Sequence, residues 1–256
     1  MIWSGAMLET LSLVGVAAFS LPFIAAIERG GEARFGGRRS LGALGFRQSI
    51  ADFLKLFAKE DFVPNHSSRR LYTLAPILAF GFAFCGLAFL PLVPAVRDEH
   101  GVTKSVVIES DYGLFWLLML FAAGCASSAL GGWASNNKLS LLGGVRALSR
   151  LVAVQVVFVL AMATLAMSAA SARLDLIASS QNQPFLALLP QWNIFTQPLG
   201  AVVCFLSGLA LCAASPFDLV EGRGKENLLD PRAEYGALKF AFFIVADRIR
   251  LFTFAV

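Results

Sequence analysis

Three charged side chains, Asp247, Arg248 and Arg250, stand inside an apolar run that starts near Tyr235 and continues to the last residue. A charge at the centre of a bilayer costs roughly 2.5–3.5 kcal/mol on insertion scales, so such residues face protein or water and often mark an ion path. Glu234 and Lys239 flank the start of the same run. Ahead of it, Asp218, Glu221, Glu226, Asp230 and Glu234 form an acidic series interleaved with Arg223, Lys225 and Arg232. Metal chemistry has no comparable support. Cys85, Cys125, Cys204 and Cys212 all fall in apolar runs, none forms a CxxC pair, and His66 and His100 lie apart in loops. Zinc, haem and iron–sulfur sites need clustered Cys or His, so the cysteines read as small core residues. No phosphate-binding P-loop occurs, nor a GxGxxG opening a helix.

Two polar segments could carry recognition. "GWASNNKLSLLGGVRALSR", residues 132–150, holds two asparagines, a lysine, serines and arginines between two strongly apolar stretches. "FRQSIADFLKLFAKEDF" places Phe46, Ile50, Phe53, Leu54 and Phe57 at helical spacing, with Gln48, Asp52, Lys55 and Lys59 opposite. That pattern is an amphipathic helix too short and too charged to span a bilayer. The glycine- and arginine-rich "EARFGGRRSLGALG" before it suits close backbone approach.

The elements that position these residues are membrane spans. Of 256 residues, 57% are hydrophobic, 15% are charged and 23 are phenylalanine, and the mean hydropathy is +0.69. Soluble domains are about a quarter charged, and a spanning helix takes about 20 mostly apolar residues. Apolar runs predict spans near Leu8–Ile27, Leu71–Val96, Tyr112–Trp133, Leu151–Ala172 and Phe195–Ala214, and a sixth from Tyr235 onward. The first lacks a basic lead-in and is followed by charges, so it is expected to be retained, not cleaved as a signal peptide.

Lysine and arginine set the orientation. The segment after span one carries nine, and those after spans three and five carry three each, against three in total on the opposite side. The basic segments, about 28–70, 134–150 and 215–234, are therefore expected to be cytoplasmic, with the N-terminus outside. The net charge of +4 reflects this asymmetry. The basic residues are spread over three segments and mixed with acids, so no nucleic-acid surface is expected.

"ERGGEARFGG", "GFRQSIADFLKLFAKEDFVP", "LAPILAF", "GWASNNKLSLLGGVRA" and "PFDLVEG" with a later "AEYGALKFAFFIVAD" occur in this order over nearly the whole chain. Together they resemble the NuoH-type membrane subunit of bacterial NADH:quinone oxidoreductase, the complex I subunit 1 family. The resemblance implies an all-α, polytopic transmembrane helix bundle of about six spans, one membrane domain over residues 1–256, with an amphipathic interfacial helix between spans one and two. It implies a multi-pass subunit of a translocating oxidoreductase in the cell's inner (cytoplasmic) membrane, with no redox centre of its own. Iron–sulfur clusters and FMN would belong to partner subunits, and quinone would be the substrate.

By the same resemblance, the cytoplasmic segments form a platform for the hydrophilic arm, with Ser135, Asn136, Asn137 and Lys138 docking it. Arg34, Gln48, Asp52, Phe53 and Phe57 line the quinone path. Glu28, Asp218, Glu221, Glu234 and Asp247 are the proton-relay candidates. The chain departs from the family at several points. It has Gly37-Arg38-Arg39 where "GPN" is usual, Gln155 where span four carries a glutamate, Gly222-Arg223-Gly224-Lys225 among the acids, and Asp247 in place of glutamate. It also stops in span six, which reads as a divergent short form or a truncation. Three other readings remain open: the membrane anchor of an energy-converting nickel–iron hydrogenase or formate hydrogenlyase, a stand-alone transporter, and a non-functional remnant.

Overall fold

The computed structural model describes residues 15, 22–27, 30, 43–91, 96–97, 103–104, 107–181, 184–185, 189–190, 192–213, 217 and 230–255. Among these the elements are α1 (Ala43–Ala58), α2 (Arg69–Leu87), α3 (Gly113–Ala134), α4 (Lys138–Ala169), α5 (Leu174–Ser180), α6 (Asn193–Thr196), α7 (Pro198–Leu211) and α8 (Ala237–Ala255). Residues 22–27 are also helical. Among the described residues the fold is all-helical apart from two antiparallel hairpins with two-residue strands. One pairs Val96 with Lys104 and Arg97 with Thr103; the other pairs Pro184 with Pro190 and Phe185 with Leu189.

The helices form because long apolar runs satisfy their backbone groups internally, which lipid demands. α2, α3 and α4 are long and apolar enough to cross a membrane. Val152, Val156, Leu160 and Met167 lie along the outer face of α4 with little cover, a belt that suits lipid and not water. The chain is an integral membrane protein. Small residues make up much of its inner faces. Tyr72, Ala75, Ala79 and Ala83 of α2 pack with Leu117 of α3 and with Phe243, Ala246 and Ile249 of α8. Leu114, Leu118 and Phe121 of α3 pack with Phe158 of α4, Ile177 of α5 and Leu211 of α7. A Cβ on Gly144 of α4 would lie 3.0 Å from the Ala129 carbonyl of α3. Without a hydrophobic drive between helices in lipid, such close backbone approach is what holds them together.

The boundaries differ from the sequence expectation in instructive ways. α3 matches the third span to within a residue. The second span ends early: α2 stops at Leu87, and Ala88, Phe89 and Leu90 turn back through N–H bonds to Cys85, Gly86 and Leu87. The fourth begins early, at Lys138, because the Asn137 side chain accepts the Leu139 N–H and caps the helix. Its 32 residues span about 48 Å, well beyond the roughly 30 Å hydrocarbon core. Most of the expected cytoplasmic loop is therefore helix, joined to α3 by the turn at Ser135–Asn137. α7, with 14 residues, is shorter than a full span. α8 has 19 residues and carries Lys239, Asp247, Arg248 and Arg250. The first span lies mostly outside the described residues.

At the other end of α4, Ala170 takes a left-handed conformation (φ 48°) and returns its N–H to Ala166 and Met167. Arg173 then bridges Asp175, through Nη2 at 2.8 Å, and Asp111 at 3.7 Å. The bond from Arg173 holds the Asp175 carboxyl below the usual carboxylate range. A lowered carboxyl contributes stability above its unfolded value, about 4, and loses it as the pH falls through the lowered range. The melting temperature of Asp175→Asn is therefore expected to lie slightly below that of the unaltered chain at neutral pH, with the gap closing on acidification. The effect is small because the pair faces solvent. A gap unchanged in strong acid would show that the pair is not its cause.

Candidate functional site

Polar residues from three distant stretches, 61–72, 131–140 and 230–239, meet at one end of the bundle. The turn between α3 and α4 is tight enough to need Asn136 in a left-handed conformation (φ 53°), which asparagine tolerates. Its Nδ2 donates to the His66 carbonyl at 3.0 Å. The Ser68 N–H donates to the Ala134 carbonyl at 3.1 Å. Asn137 serves twice: Oδ1 caps α4, and Nδ2 donates to Glu234 Oε1 at 2.5 Å. Ser135 Oγ donates to the Gly132 carbonyl, and fully buried Ser140 donates to the carbonyls of Asp230 and Pro231.

Aromatic rings complete this junction. Tyr72 and Tyr235 stack with centroids 4.0 Å apart and planes 5° from parallel. The Tyr72 hydroxyl donates to the Glu234 carbonyl at 2.7 Å. Lys239 bonds Asp61 at 2.9 Å, and its ammonium lies 5.1 Å from the centroid of the Tyr72 ring. A cation over an aromatic face in a desolvated place is stabilised by the ring quadrupole, which lets Lys239 stay buried near the start of α8.

A second cluster lies deeper. Asp247 accepts from Arg232 Nη1 on one oxygen and from Arg250 Nη2 on the other. Arg232 also bonds Asp230 at 3.1 Å, and Arg250 Nη1 donates to Cys125 Sγ of α3 at 2.9 Å. Asp247, Arg232, Arg250 and Cys125, with Ser128, Arg150 and Cys212, line a small cavity of about 20 Å³, room for about one water.

The expected site residues are distributed unevenly. Ser135, Asn136 and Asn137 are brought together, but Ser135's hydroxyl and both asparagine amides are engaged within the chain. Lys138 is exposed at the start of α4. Glu234 and Asp247 occupy the two clusters separately. Gln48, Asp52, Phe53 and Phe57 share α1, where Gln48 Nε2 donates to Asp52 at 3.0 Å. Phe53 is edge-on to Phe57 with centroids 5.0 Å apart, and it packs against the α2–α8 core. Phe57 is 55% exposed. None of the four lines the cavity beside Asp247. Glu28, Arg34, Asp218 and Glu221 lie outside the described residues.

Sequence reading missed Asp61, Tyr72 and Tyr235, and it missed Arg232 and Arg250 as partners of Asp247. For Arg250 a signal existed: Asp247 and Arg250 are three residues apart, neighbours on a helix surface. The other partners come from other elements and leave no local trace.

Among the described residues, no group of His, Cys, Asp and Glu could hold a metal ion. The arrangement can present a polar surface, hold carboxylates in contrasting surroundings and fix helix ends relative to one another.

A family model described as NADH dehydrogenase matches residues 8–256. The H-type subunit of NADH-quinone oxidoreductase from Geobacillus thermodenitrificans is 34% identical over 224 residues, 88% of this chain and 62% of that protein. The proteins of the same name from Geobacillus kaustophilus and Bacillus cytotoxicus are 33% and 32% identical, with the same coverage. The chain thus spans 62% of the length of these relatives.

Proposed function

The chain belongs to the NADH dehydrogenase family as a membrane subunit of the NuoH type, and on that premise we propose that it docks the hydrophilic arm of an NADH:quinone oxidoreductase-like complex. In this reading it also frames the quinone path and takes part in moving protons, without a redox centre of its own. Quinone is the substrate, and the FMN and iron–sulfur clusters belong to partner subunits. The complex sits in the inner membrane with the basic segments cytoplasmic and the N-terminus outside.

The observation that carries docking is the junction itself. Residues 61–72, 131–140 and 230–239 are cross-bonded into one polar platform at one end of long apolar helices. With both asparagine amides used internally, the free part of the "SNNK" turn is Lys138, beside half-exposed Leu139 and Leu142. Ser135, Asn136 and Asn137 then act in docking by holding this surface in place. Lys138→Glu with Leu142→Ser is expected to cut co-purification of the hydrophilic arm about tenfold or more, as loss of interface anchors does, while the chain inserts normally. Equal recovery of the arm would return this surface to a solvated one. An arm retained without quinone reductase activity would favour the hydrogenase-type anchor.

The quinone path is assigned to α1 and the segment holding Arg34. A quinone pairs an apolar tail with a polar head, so its site is an apolar channel ending in a few donors. Phe57 is the more informative position because its ring is open, whereas Phe53 is part of the core. Phe57→Ala is expected to raise the apparent KM for a short-tailed quinone severalfold with assembly intact. Phe53→Ala is expected to lower stability by about 1–3 kcal/mol, less than a fully buried phenylalanine. Unaltered quinone kinetics in Phe57→Ala would make α1 a membrane-surface helix only. The proton route is assigned to Glu28, Asp218, Glu221, Glu234 and Asp247. Of these, Glu234 has a neutral amide on one oxygen.

A further inference from the structure

We propose that the ion pair between Asp61 and Lys239 is the clasp that seats α1 on the bundle, which makes Lys239 a positioning residue for quinone; the proposal rests on reading α1 as a wall of the quinone path. Among the described residues α1 has few other anchors. None of its described side chains is fully buried. It packs on α8, with Phe53 and, beyond the helix, Val63 set against the α2–α8 core.

The chain downstream is fixed from Pro64 onward. Ser67 donates its N–H and its hydroxyl to the Pro64 carbonyl at 3.1 and 2.7 Å. Asn136 donates to the His66 carbonyl, and the Ser68 N–H donates to the Ala134 carbonyl. Asp61 lies three residues before that fixed stretch and three after the last residue of α1. A carboxylate tied there decides where the helix end rests.

The partner of that carboxylate is held independently. Lys239 stands on the first turn of α8 with its side chain 10% exposed, and Asp61, 46% exposed, meets it at 2.9 Å. Its ammonium lies 5.1 Å from the Tyr72 centroid. Tyr72 is itself fixed twice, by its stack on Tyr235 and by the bond from its hydroxyl to the Glu234 carbonyl. An isolated exposed ion pair contributes little, because two long side chains must be ordered to form it. Here the ring has already ordered the cation, so the bond has only Asp61 to fix. The firm half of the clasp is on α8, and the half it catches belongs to the α1 segment.

The consequence falls on quinone binding. The open ring of Phe57 stands four residues before Asp61, so it shifts when the helix end does. In the same reading the electrons come from partner subunits, which the clasp does not touch. Loosening α1 therefore weakens quinone entry and leaves turnover of bound quinone nearly as it was.

The test uses the complete complex with Lys239→Met, with Asp61→Asn and with both, and Phe57→Ala alongside. Asp61→Asn changes a half-exposed group to one of the same shape, so it keeps the test alive if Lys239→Met does not fold. Hydrogen exchange over residues 43–63 is measured together with the KM and kcat for a short-tailed quinone. Each single variant is expected to speed that exchange about three- to tenfold. Each is also expected to raise KM about threefold or more, the cost of a less ordered site, at nearly native kcat. The double variant is expected to do no more than either single one, as for two residues that act as one contact. Native exchange in both single variants overturns the clasp, and so does a double variant whose effects multiply. Faster exchange with an unaltered KM, where Phe57→Ala raises it, overturns the positioning role, as does a fall in kcat at unaltered KM. If Phe57→Ala leaves KM unaltered too, the reading of α1 as a quinone wall fails and the role of Lys239 with it, while the exchange rates still decide whether the pair holds the helix.

Discussion

Gly132→Ala is expected to lower stability by more than the roughly 1–3 kcal/mol usual for overpacking, and Gly132→Leu to prevent accumulation of folded chain. A Cβ at Gly132 would sit 2.6 Å from the Ser140 carbonyl oxygen, 3.0 Å from Pro231 Cβ and 3.3 Å from Pro231 Cα. No rotamer change relieves a clash with backbone. Ser140 cannot retreat without moving the start of α4, which Asn137 caps. Pro231 cannot retreat without giving up the bond from Ser140 Oγ at 3.0 Å. One methyl group therefore loads the whole junction. Gly81→Ala is the control: its Cβ would meet nothing within 4 Å, and in a helix interior this change stabilises by about 0.5–1 kcal/mol. Thermal unfolding in detergent, with the fraction of monodisperse protein, reads both variants. A Gly132→Ala protein melting at or above the unaltered chain would show that α3 and α4 do not approach this closely.

Gln155→Glu is expected to cost about 2–3 kcal/mol and to add no proton step. Gln155 Nε2 donates to the Leu118 carbonyl of α3 at 3.2 Å, so the amide is a clasp between two membrane helices. Its Oε1 is buried with no hydrogen-bond partner among the described residues. An ionised glutamate has no donor for that carbonyl and would place a charge among apolar helices at roughly 2.5–3.5 kcal/mol. Gln155→Met keeps the length, and it is expected to cost only about 0.6 kcal/mol, the mean for a hydrogen bond between membrane helices. Melting temperature and protons moved per electron pair are measured together. A Gln155→Glu protein as stable as the native one, moving more protons per electron, would identify the position as an open place in the relay.

Much of the fold was legible because lipid leaves the backbone few choices. α1 and α3 follow from apolar periodicity and run length, and both fall within a few residues of expectation. The start of α4 was hidden by averaging. Residues 138–150 bury Ser140, Gly143 and Gly144 and expose Leu139, Arg146 and Ser149, so small residues, not large apolar ones, face the core and the stretch reads as a loop. Its one local signal was the asparagine at the cap position. The site was legible only in half. A charge such as Asp247 inside an apolar run announces that it needs a partner, but Arg232 reaches it from outside that helix. Likewise, the asparagines of "SNNK" look like free recognition groups until His66 and Glu234 are seen to occupy them.

The length of α4 has a mechanical consequence. An unbroken helix of 32 residues would move as a stiff rod if tilted, and the platform residues hold it near its short turn at Ser135–Asn137. A tilt of about 5° imposed there displaces the far end, about 48 Å away, by about 4 Å. Seating a partner on Lys138 would thus be felt as a sideways swing at Ala169 and the Arg173 bridge beyond it. Such a rod would act as a lever, with its fulcrum where the three polar stretches meet.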